Sequence, residues 1–366
     1  MSWRPDLPYN ELPALPPTGI DLETRPVLKA VAEARAAIAR LDQATDLIPN
    51  PAVLINAIPL LEAQASSEIE NIVTTTDALF RAASKPDESG SDPAVKETLR
   101  YRTALRMGSE TMSHRALTAR TAIDICTCIK GKEMGLRKLP GTRIANPTTG
   151  DVIYSPPEGA DVIRDKLSNW ERFIHAGDSL DPIVKMAVAH YQFEAIHPFS
   201  DGNGRTGRIL NILMLQNAGL LRMPVLYMSR YIIAHKNDYY RLLNGVTSSG
   251  NWHDWTLYMV DGVRQSAEST TRKILAIRDL QLNLQSEFGD VTPGMRNINF
   301  LSVLFAQPYV RIANVVDACA VTRQTASIWL DSLVVEGVLN DLRIGRDRLF
   351  VNTNYLELLS RGEKDV

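Results

Sequence analysis

The stretch His197-Pro198-Phe199-Ser200-Asp201-Gly202-Asn203-Gly204-Arg205-Thr206-Gly207-Arg208 packs a histidine, a carboxylate, three glycines and two arginines into twelve residues. The glycines permit tight turns and let backbone N–H groups come close to a ligand. The apolar run that follows, Ile209-Leu210-Asn211-Ile212-Leu213-Met214-Leu215, predicts a helix from about Arg205 to Ala218, stopped by Gly219. The loop therefore stands at a helix N-terminus, where unpaired N–H groups and the helix dipole favour an anion. Arg205 and Arg208, three residues apart, can face one side of that helix. Together these residues are an inventory for holding a polyphosphate beside a proton acceptor.

Upstream of the loop, helical patterning covers Val27–Gln43, Ala94–Ser113, Thr118–Lys130, Asp161–His175 and Pro182–Ile196, the last capped by Asp181. Asn50-Pro51 opens a further segment, in which Leu60, Leu61, Ala65 and Ile69 predict an amphipathic helix over about 59–72. Thr74-Thr75-Thr76-Asp77 reads as a break that caps the next helix, and Lys85 to Pro93 as a surface loop. Between Arg137 and Pro157, extended runs at Ile144 and at Val152-Ile153-Tyr154 flank a turn from Asn146 to Asp151, which predicts a β-hairpin. Downstream, helices are expected at Tyr231–Asn244 and from Trp252 to about Glu287. After a boundary at Val291-Thr292-Pro293-Gly294 come three short helices (Phe300–Ala306, Ile312–Cys319, Arg323–Val335) and two strands (Leu339–Ile344, Arg348–Asn352), the order of a winged helix.

The 366 residues allow two or three domains, and 45% hydrophobic with 22% charged content describes an ordinary globular chain. Lys+Arg 40 against Asp+Glu 42 leaves no bulk charge to attract nucleic acid or a membrane surface. No segment approaches the about 20 continuous apolar residues of a membrane span. Pro13, Pro16 and Pro17 suggest an extended surface arm. Three cysteines, Cys126, Cys128 and Cys319, argue against a disulfide framework and fit a reducing cytoplasm; Cys126 and Cys128 read as buried thiols on a helix rather than as a metal site.

The loop pattern His-Pro-Phe-x-Asp-Gly-Asn-Gly-Arg-x-x-Arg resembles the signature of Fic-domain AMP transferases at every fixed position. Ser66-Ser67-Glu68-Ile69-Glu70-Asn71 resembles that family's inhibitory pattern, Ser/Thr-x-x-x-Glu-Gly/Asn, placed N-terminal to the catalytic motif. The resemblance implies a mainly α fold: a Fic-type helical bundle with a β-hairpin flap, followed by a winged helix. It divides the chain into 1–93 with the inhibitory helix, 94–290 as catalytic domain, and 291–366. It further implies transfer of AMP from ATP, with Mg²⁺, to a hydroxyl of a target protein or of the chain itself.

His197, with an unperturbed pKa of about 6.5, is the candidate general base. Asp201 is the candidate Mg²⁺ ligand, since magnesium takes oxygen donors and often a single carboxylate beside phosphates. Gly202, Asn203, Gly204, Arg205, Thr206, Gly207 and Arg208 form the expected nucleotide-binding run, and by resemblance Arg208 meets the γ-phosphate. Tyr239, Tyr240 and Thr247 stand at the spacing where family members line the adenine pocket. Phe199 is expected to pack beneath the loop. The hairpin resembles the flap that clamps a target segment by strand addition. Glu70 is the expected inhibitor, pairing with Arg208 and drawing it from the γ-phosphate, with Ser66 one turn away.

Three other readings remain open at this point. The winged helix could make the chain a DNA-binding regulator, with the wing Arg343–Arg348 touching phosphate, although Asp331, Asp341 and Asp347 offset its charge. The same site could remove AMP from modified proteins, with Glu70 aligning a water. A metal hydrolase using His190 and His197 lacks a third ligand nearby. The sequence leaves a homodimer open.

Overall fold

The computed structural model describes residues 3–84, 92–145, 149–289, 292, 294–344 and 347–361. The arm has neither helix nor strand up to Thr24, but it is pinned rather than lying loosely on the surface. Leu12, Leu15 and Leu22 are buried, and the Asn169 amide bonds both backbone groups of Leu15, at 2.7 and 3.0 Å.

Helix α1 (Arg25–Ala44) buries Val27, Val31, Ala34, Ile38 and Leu41 along one face and is followed by a 3-10 turn, Thr45–Leu47. Helix α2 (Pro51–Ile69) begins at Asn50, whose side chain accepts from Ala52 N at 3.0 Å, with Pro51 at the first helical position. The amphipathic helix expected over 59–72 is corrected here. It starts at Pro51, carries Pro59 in its interior, and ends at Ile69 with Glu70 as its C-cap. Val53, Leu54, Ala57, Ile58, Leu60 and Leu61 are buried around its circumference, so it is a core helix rather than one with a wet face.

Helix α3 (Thr76–Ala83) is capped by Thr75 as the threonine run suggested. Helices α4 (Pro93–Met112) and α5 (Ala119–Lys130) follow, with Cys126 buried and Cys128 half-buried on α5. Strands β1 (Ile144–Ala145) and β2 (Val152–Tyr154) pair antiparallel, Ile144 opposite Tyr154. The tip of this hairpin, 146–148, lies outside the described residues, as does most of the expected loop before Pro93.

Helices α6 (Ala160–Ile174), α7 (Pro182–Ile196) and α8 (Asn203–Asn217) form where the periodicity placed them. The single helix expected over Tyr231–Asn244 is instead two, α9 (Met228–Ala234) and α10 (Lys236–Ser249). They break at His235, whose ring nitrogen contacts the Tyr231 carbonyl at 3.0 Å and so competes with the backbone for a helical acceptor. Helix α11 (Trp252–Phe288) then runs alongside α1. Its 37 residues give a length of about 55 Å. Helix α7 is buried nearly all round and touches α6, α8 and α11; α8 touches α7, α4, α5 and α2. The turn between α7 and α8 thus springs from the centre of the bundle.

The C-terminal part contains α12 (Ile298–Ala306), β3 (Tyr309–Val310), α13 (Ile312–Cys319), α14 (Arg323–Val335), β4 (Leu339–Ile344), β5 (Asp347–Asn352) and α15 (Thr353–Ser360). The strands form an antiparallel sheet in the order β3-β5-β4. Strand β3 and helix α15 were not anticipated from the sequence. Phe300, Leu304, Phe305, Leu330, Leu333, Leu349, Phe350 and Tyr355 make the core of this part. It packs on the N-terminal helices, α12 against α2 and α15 against α3, and the Tyr309 hydroxyl donates to the Asp77 carboxylate. Arg346 in the expected wing lies outside the described residues, and Arg348 is engaged by Asp331 at 2.5 Å and Asp341 at 2.8 Å. No helix among the described residues is long and apolar enough to cross a membrane.

Candidate active site

Helix α7 ends by turning left-handed at His197, φ 49°. A non-glycine residue seldom adopts this conformation, and here four contacts hold it. His197 N bonds to Phe193 O at 3.0 Å, and the buried Arg137 grips the other side. Arg137 Nε donates to His197 O at 2.7 Å, Nη2 to Ile196 O at 3.2 Å, and the Arg137 backbone N to Pro198 O at 2.9 Å. His197 as a residue is half-buried, and its Nδ1 is buried without a hydrogen-bond partner. Burial, and next the Arg137 charge, push its pKa down to about 4. The imidazole is therefore neutral at physiological pH, with a lone pair available.

The loop beyond His197 closes on itself. Asn203 accepts from Phe199 N and donates to Phe199 O, both at 2.8 Å, so its side chain shapes the turn. Phe199 is fully buried beneath the loop, as expected. Gly202 starts α8 at φ 83°, a region that suits glycine. Gly204 leaves its face of the helix bare: a β-carbon there would come within 2.8 Å of both Arg208 Nη1 and Glu70 Oε1. Thr206 is buried, and Gly207 lies against Glu194 and His190 in the α7–α8 crossing.

Two buried arginines rise from the first turns of α8. Arg208 Nε donates to Ser66 Oγ at 2.7 Å, and its Nη2 donates to Ser66 O and to Glu70 Oε1, both at 2.9 Å. Arg205 Nε lies 2.7 Å from Glu70 Oε2, and Nη1 donates to Glu97 Oε1 at 2.7 Å. Glu70 thus spans both guanidinium groups, where the sequence suggested only Arg208, and Ser66 bonds across to Arg208 rather than within its own helix. Burial alone would lower the Arg208 pKa; Glu70, acting together with Tyr101, Tyr239 and Glu194, raises it above the ordinary value. Asp201, half-exposed, meets Lys130 Nζ at 2.6 Å, and Lys130 also reaches Glu97 at 2.8 Å. Burial would raise the Asp201 pKa, but Lys130 and Arg205 hold it below the usual range. Three cations, Arg205, Arg208 and Lys130, face three carboxylates, Glu70, Glu97 and Asp201. The anion-holding side of the site is therefore already neutralised by protein groups.

Tyr239 is buried, its hydroxyl 2.9 Å from His190 Nε2 and its ring packed on Trp255 and Tyr258. Thr247 Oγ1 meets the Tyr191 hydroxyl at 2.9 Å. Tyr240 keeps 47% of its surface exposed and lies within electrostatic reach of Arg208, Glu194 and Glu70. His190 stacks on Trp255, and burial pushes its pKa down to about 3, which marks a core histidine. Among the described residues there is no group of three or more His, Cys, Asp or Glu side chains that could hold a metal. Of the three carboxylates, Asp201 is the most open, its side chain 56% exposed against 24% for Glu70 and 23% for Glu97. Glu97, Lys130 and Arg137 were missed by the sequence reading. They reach the site from α4, from the end of α5 and from the loop after it, and no local spacing marks them.

A buried helix that ends on a left-handed histidine, a glycine loop, and a second helix with paired arginines in its first turns define a helical domain that can hold an anion beside a base. Residues 28–110 match the Fic/DOC family N-terminal region, 116–215 the Fic/DOC family domain, and 290–355 the C-terminal domain of SoFic-like protein adenylyltransferases. The chain belongs to the Fic/DOC family. It is 34% identical over 107 residues to a protein adenylyltransferase Fic of Culex quinquefasciatus, covering 29% of this chain and 20% of that protein. A protein adenylyltransferase Fic of Nematostella vectensis is 42% identical over 94 residues, covering 26% and 20%. The chain spans about a fifth of the length of these curated relatives. The fold is similar to the crystal structure of a Fic family protein from Desulfovibrio desulfuricans G20, at a TM-score of 0.55 and 20% identity over 90% of this chain and 96% of that one. It is also similar to Fic-1 of Caenorhabditis elegans, TM-score 0.50 at 17% identity, covering 69% and 74%.

Proposed function

We propose that this chain is a protein adenylyltransferase whose resting state is blocked by Glu70. The observation that carries this reading is the Glu70 carboxylate lying across Arg205 and Arg208, on the bare Gly204 face, beside a neutral His197. A triphosphate presents the same kind of charge to the same two forks. The curated relatives named as protein adenylyltransferases support the activity.

In the proposed reaction a target hydroxyl gives its proton to His197 while its oxygen bonds to the α-phosphorus of ATP. The bond from that phosphorus to the β-phosphate bridge oxygen breaks, pyrophosphate leaves, and AMP stays on the target as a phosphodiester. Arg205 and Arg208 would hold the β- and γ-phosphates, and the N–H groups at the start of α8 would meet their oxygens. Asp201 would hold Mg²⁺, which supplies charge neutralisation to the phosphates. Tyr240 is the open member of the Tyr239–Tyr240–Thr247 set and would meet the base. The β1–β2 hairpin would dock the target segment. On this reading 1–93 carries the inhibitory end of α2, 94–290 the chemistry, and 291–366 a winged helix, and the chain works in the cytoplasm.

Intact-mass analysis after incubation with ATP and Mg²⁺ tests this. The Glu70→Gly chain should gain the mass of one or more adenylyl groups, on itself or on proteins of a lysate, while wild type gains little. A Glu70→Gly chain that labels nothing and binds no ATP would overturn the assignment. A chain that instead strips AMP from a modified protein only when Glu70 is present would make Glu70 a water-aligning residue.

A further inference from the structure

We infer that Arg137 is a positioning residue that fixes the His197 backbone and ties it to the exit of the β1–β2 hairpin, so that base and hairpin move as one unit. The inference rests on the reading of His197 as the base.

Arg137 is 6% exposed and lies 60 residues before His197 in the chain. Its guanidinium has no salt-bridge carboxylate among the described residues; the partners of Nε and Nη2 are carbonyls. Two of these, Ile196 O and His197 O, belong to the end of α7, where a helix leaves its last carbonyls unpaired and where a cation is favoured by the dipole. The third, Pro157 O, follows strand β2 and accepts from the same Nη2. The Arg137 backbone N takes Pro198 O, so the left-handed residue is bracketed on both sides. A second tie runs parallel: the buried Tyr154 of β2 donates its hydroxyl to Ala195 O at 2.8 Å. A lysine could supply the charge but not this fork, because its donors radiate from one atom.

Arg137 also acts on the imidazole by charge. The groups facing His197 are Arg137 from the loop before β1, Glu70 from the end of α2, Asp201 from its own loop, and the Glu194 carbonyl one turn back on α7. Arg137 is the cation among them and disfavours the imidazolium. A merely structural arginine would move neither the His197 titration nor the acid limb of the rate profile on its own.

The test uses the full chain carrying Glu70→Gly, with Arg137→Ala, Arg137→Lys and Arg137→Gln added singly. Three quantities are read: AMP-transfer rate against pH, ATP affinity by calorimetry, and the His197 pKa by NMR titration. Arg137→Ala should cut kcat by about 10²-fold, since small misplacements of a base are that costly, with the ATP Kd within about twofold. The His197 pKa and the acid limb should move up in Arg137→Ala and Arg137→Gln. Arg137→Lys should keep the acid limb but not recover the rate. Tyr154→Phe should show a smaller loss of kcat. A folded Arg137→Gln chain with unchanged kcat and unchanged His197 titration would sink the inference, as would loss of rate matched by loss of ATP binding in every variant. Should Arg137→Ala fail to fold, Arg137→Lys and Arg137→Gln decide. If the His197 titration shifts as expected but the parent chain transfers no AMP, the functional reading fails and the positioning role stands.

Discussion

The loop from His197 to Arg208 and the end of α2 meet at two arginines, yet they are held by opposite means. The turn from Phe199 to Thr206 is shaped from within: Asn203 bonds Phe199 four residues away, and Thr206 N bonds Gly202 O. Glu70 is held from without, by Arg205 and by Arg208, the latter 138 residues further along the chain. One piece carries its geometry in its own spacing; the other has meaning only against a partner. The comparison suggests that changes in the loop should abolish function, whereas changes at Glu70 should redirect it.

The largest effect is expected at the loop. His197→Ala should lower AMP transfer by roughly 10²–10⁴-fold while ATP binding persists, because the base acts on the hydroxyl and not on the nucleotide. Calorimetry beside a transfer assay measures both, and an undiminished rate would remove His197 from the chemistry. Next comes Arg208→Ala in the Glu70→Gly chain. It should lose about 10²-fold in rate through misaligned phosphates, and equal activity in the single and double variants would show that Arg208 does not align them.

At the other region the sign reverses. Glu70→Gly should raise labelling, and Glu70→Asp should fall between it and wild type because the shorter arm spans the two guanidinium groups less well. The same change leaves Arg208 buried with Ser66 as its remaining hydrogen-bond partner, so stability should fall by about 1–3 kcal/mol. ATP should then raise the melting temperature of Glu70→Gly more than that of wild type, since nucleotide replaces the lost counter-charge. Equal ATP-induced shifts in the two chains would argue that the carboxylate and the triphosphate do not compete.

The smallest effect is a pH dependence at Glu194, on α7 one turn before His197. Burial pushes its pKa up to about 7, with Arg208 opposing, and Oε1 has no hydrogen-bond partner. A folded-state value above the unfolded one means that ionisation opposes folding as pH rises from about 4.5 to 7. Glu194→Gln should therefore stabilise the chain more at pH 8 than at pH 5 in thermal melts. A difference independent of pH would place the carboxylate in water.

How much was legible follows the same division. The loop, the helices on either side of it, the start of α2 at Asn50-Pro51, the capping run before α3, the Asp181 cap and the hairpin strands were all readable, because each depends on residues a few positions apart. The extent of α2 was misread because its apolar residues cover every side, which erases the periodic contrast that marks a helix face; α12, α4 and α9 supply the walls that make this viable. The break at His235 hung on one ring reaching back to one carbonyl. Strand β3 has two residues and exists only because β5 passes beside it. In the site, His197, Glu70 and the arginines announced themselves. Glu97, Lys130 and Arg137 did not, since each reaches the loop across the fold and sits in unremarkable local sequence. Tyr239 shows the reverse: its spacing suggested a ligand contact, and the fold places its hydroxyl against His190.

Glu70 caps α2, and Asn71 turns left-handed just after it, φ 63°. The closing bonds there are few: Glu70 N to Ser67 O, Asn71 N to Glu68 O and Ile72 N to Ser67 O, each at 3.0 Å. A carboxylate at this end of a helix works against the dipole, and helix ends open at far lower cost than interiors. If Glu70 is the proposed inhibitor, its release would require a single helix end to fray, while the buried residues from Val53 to Leu61 stay in place.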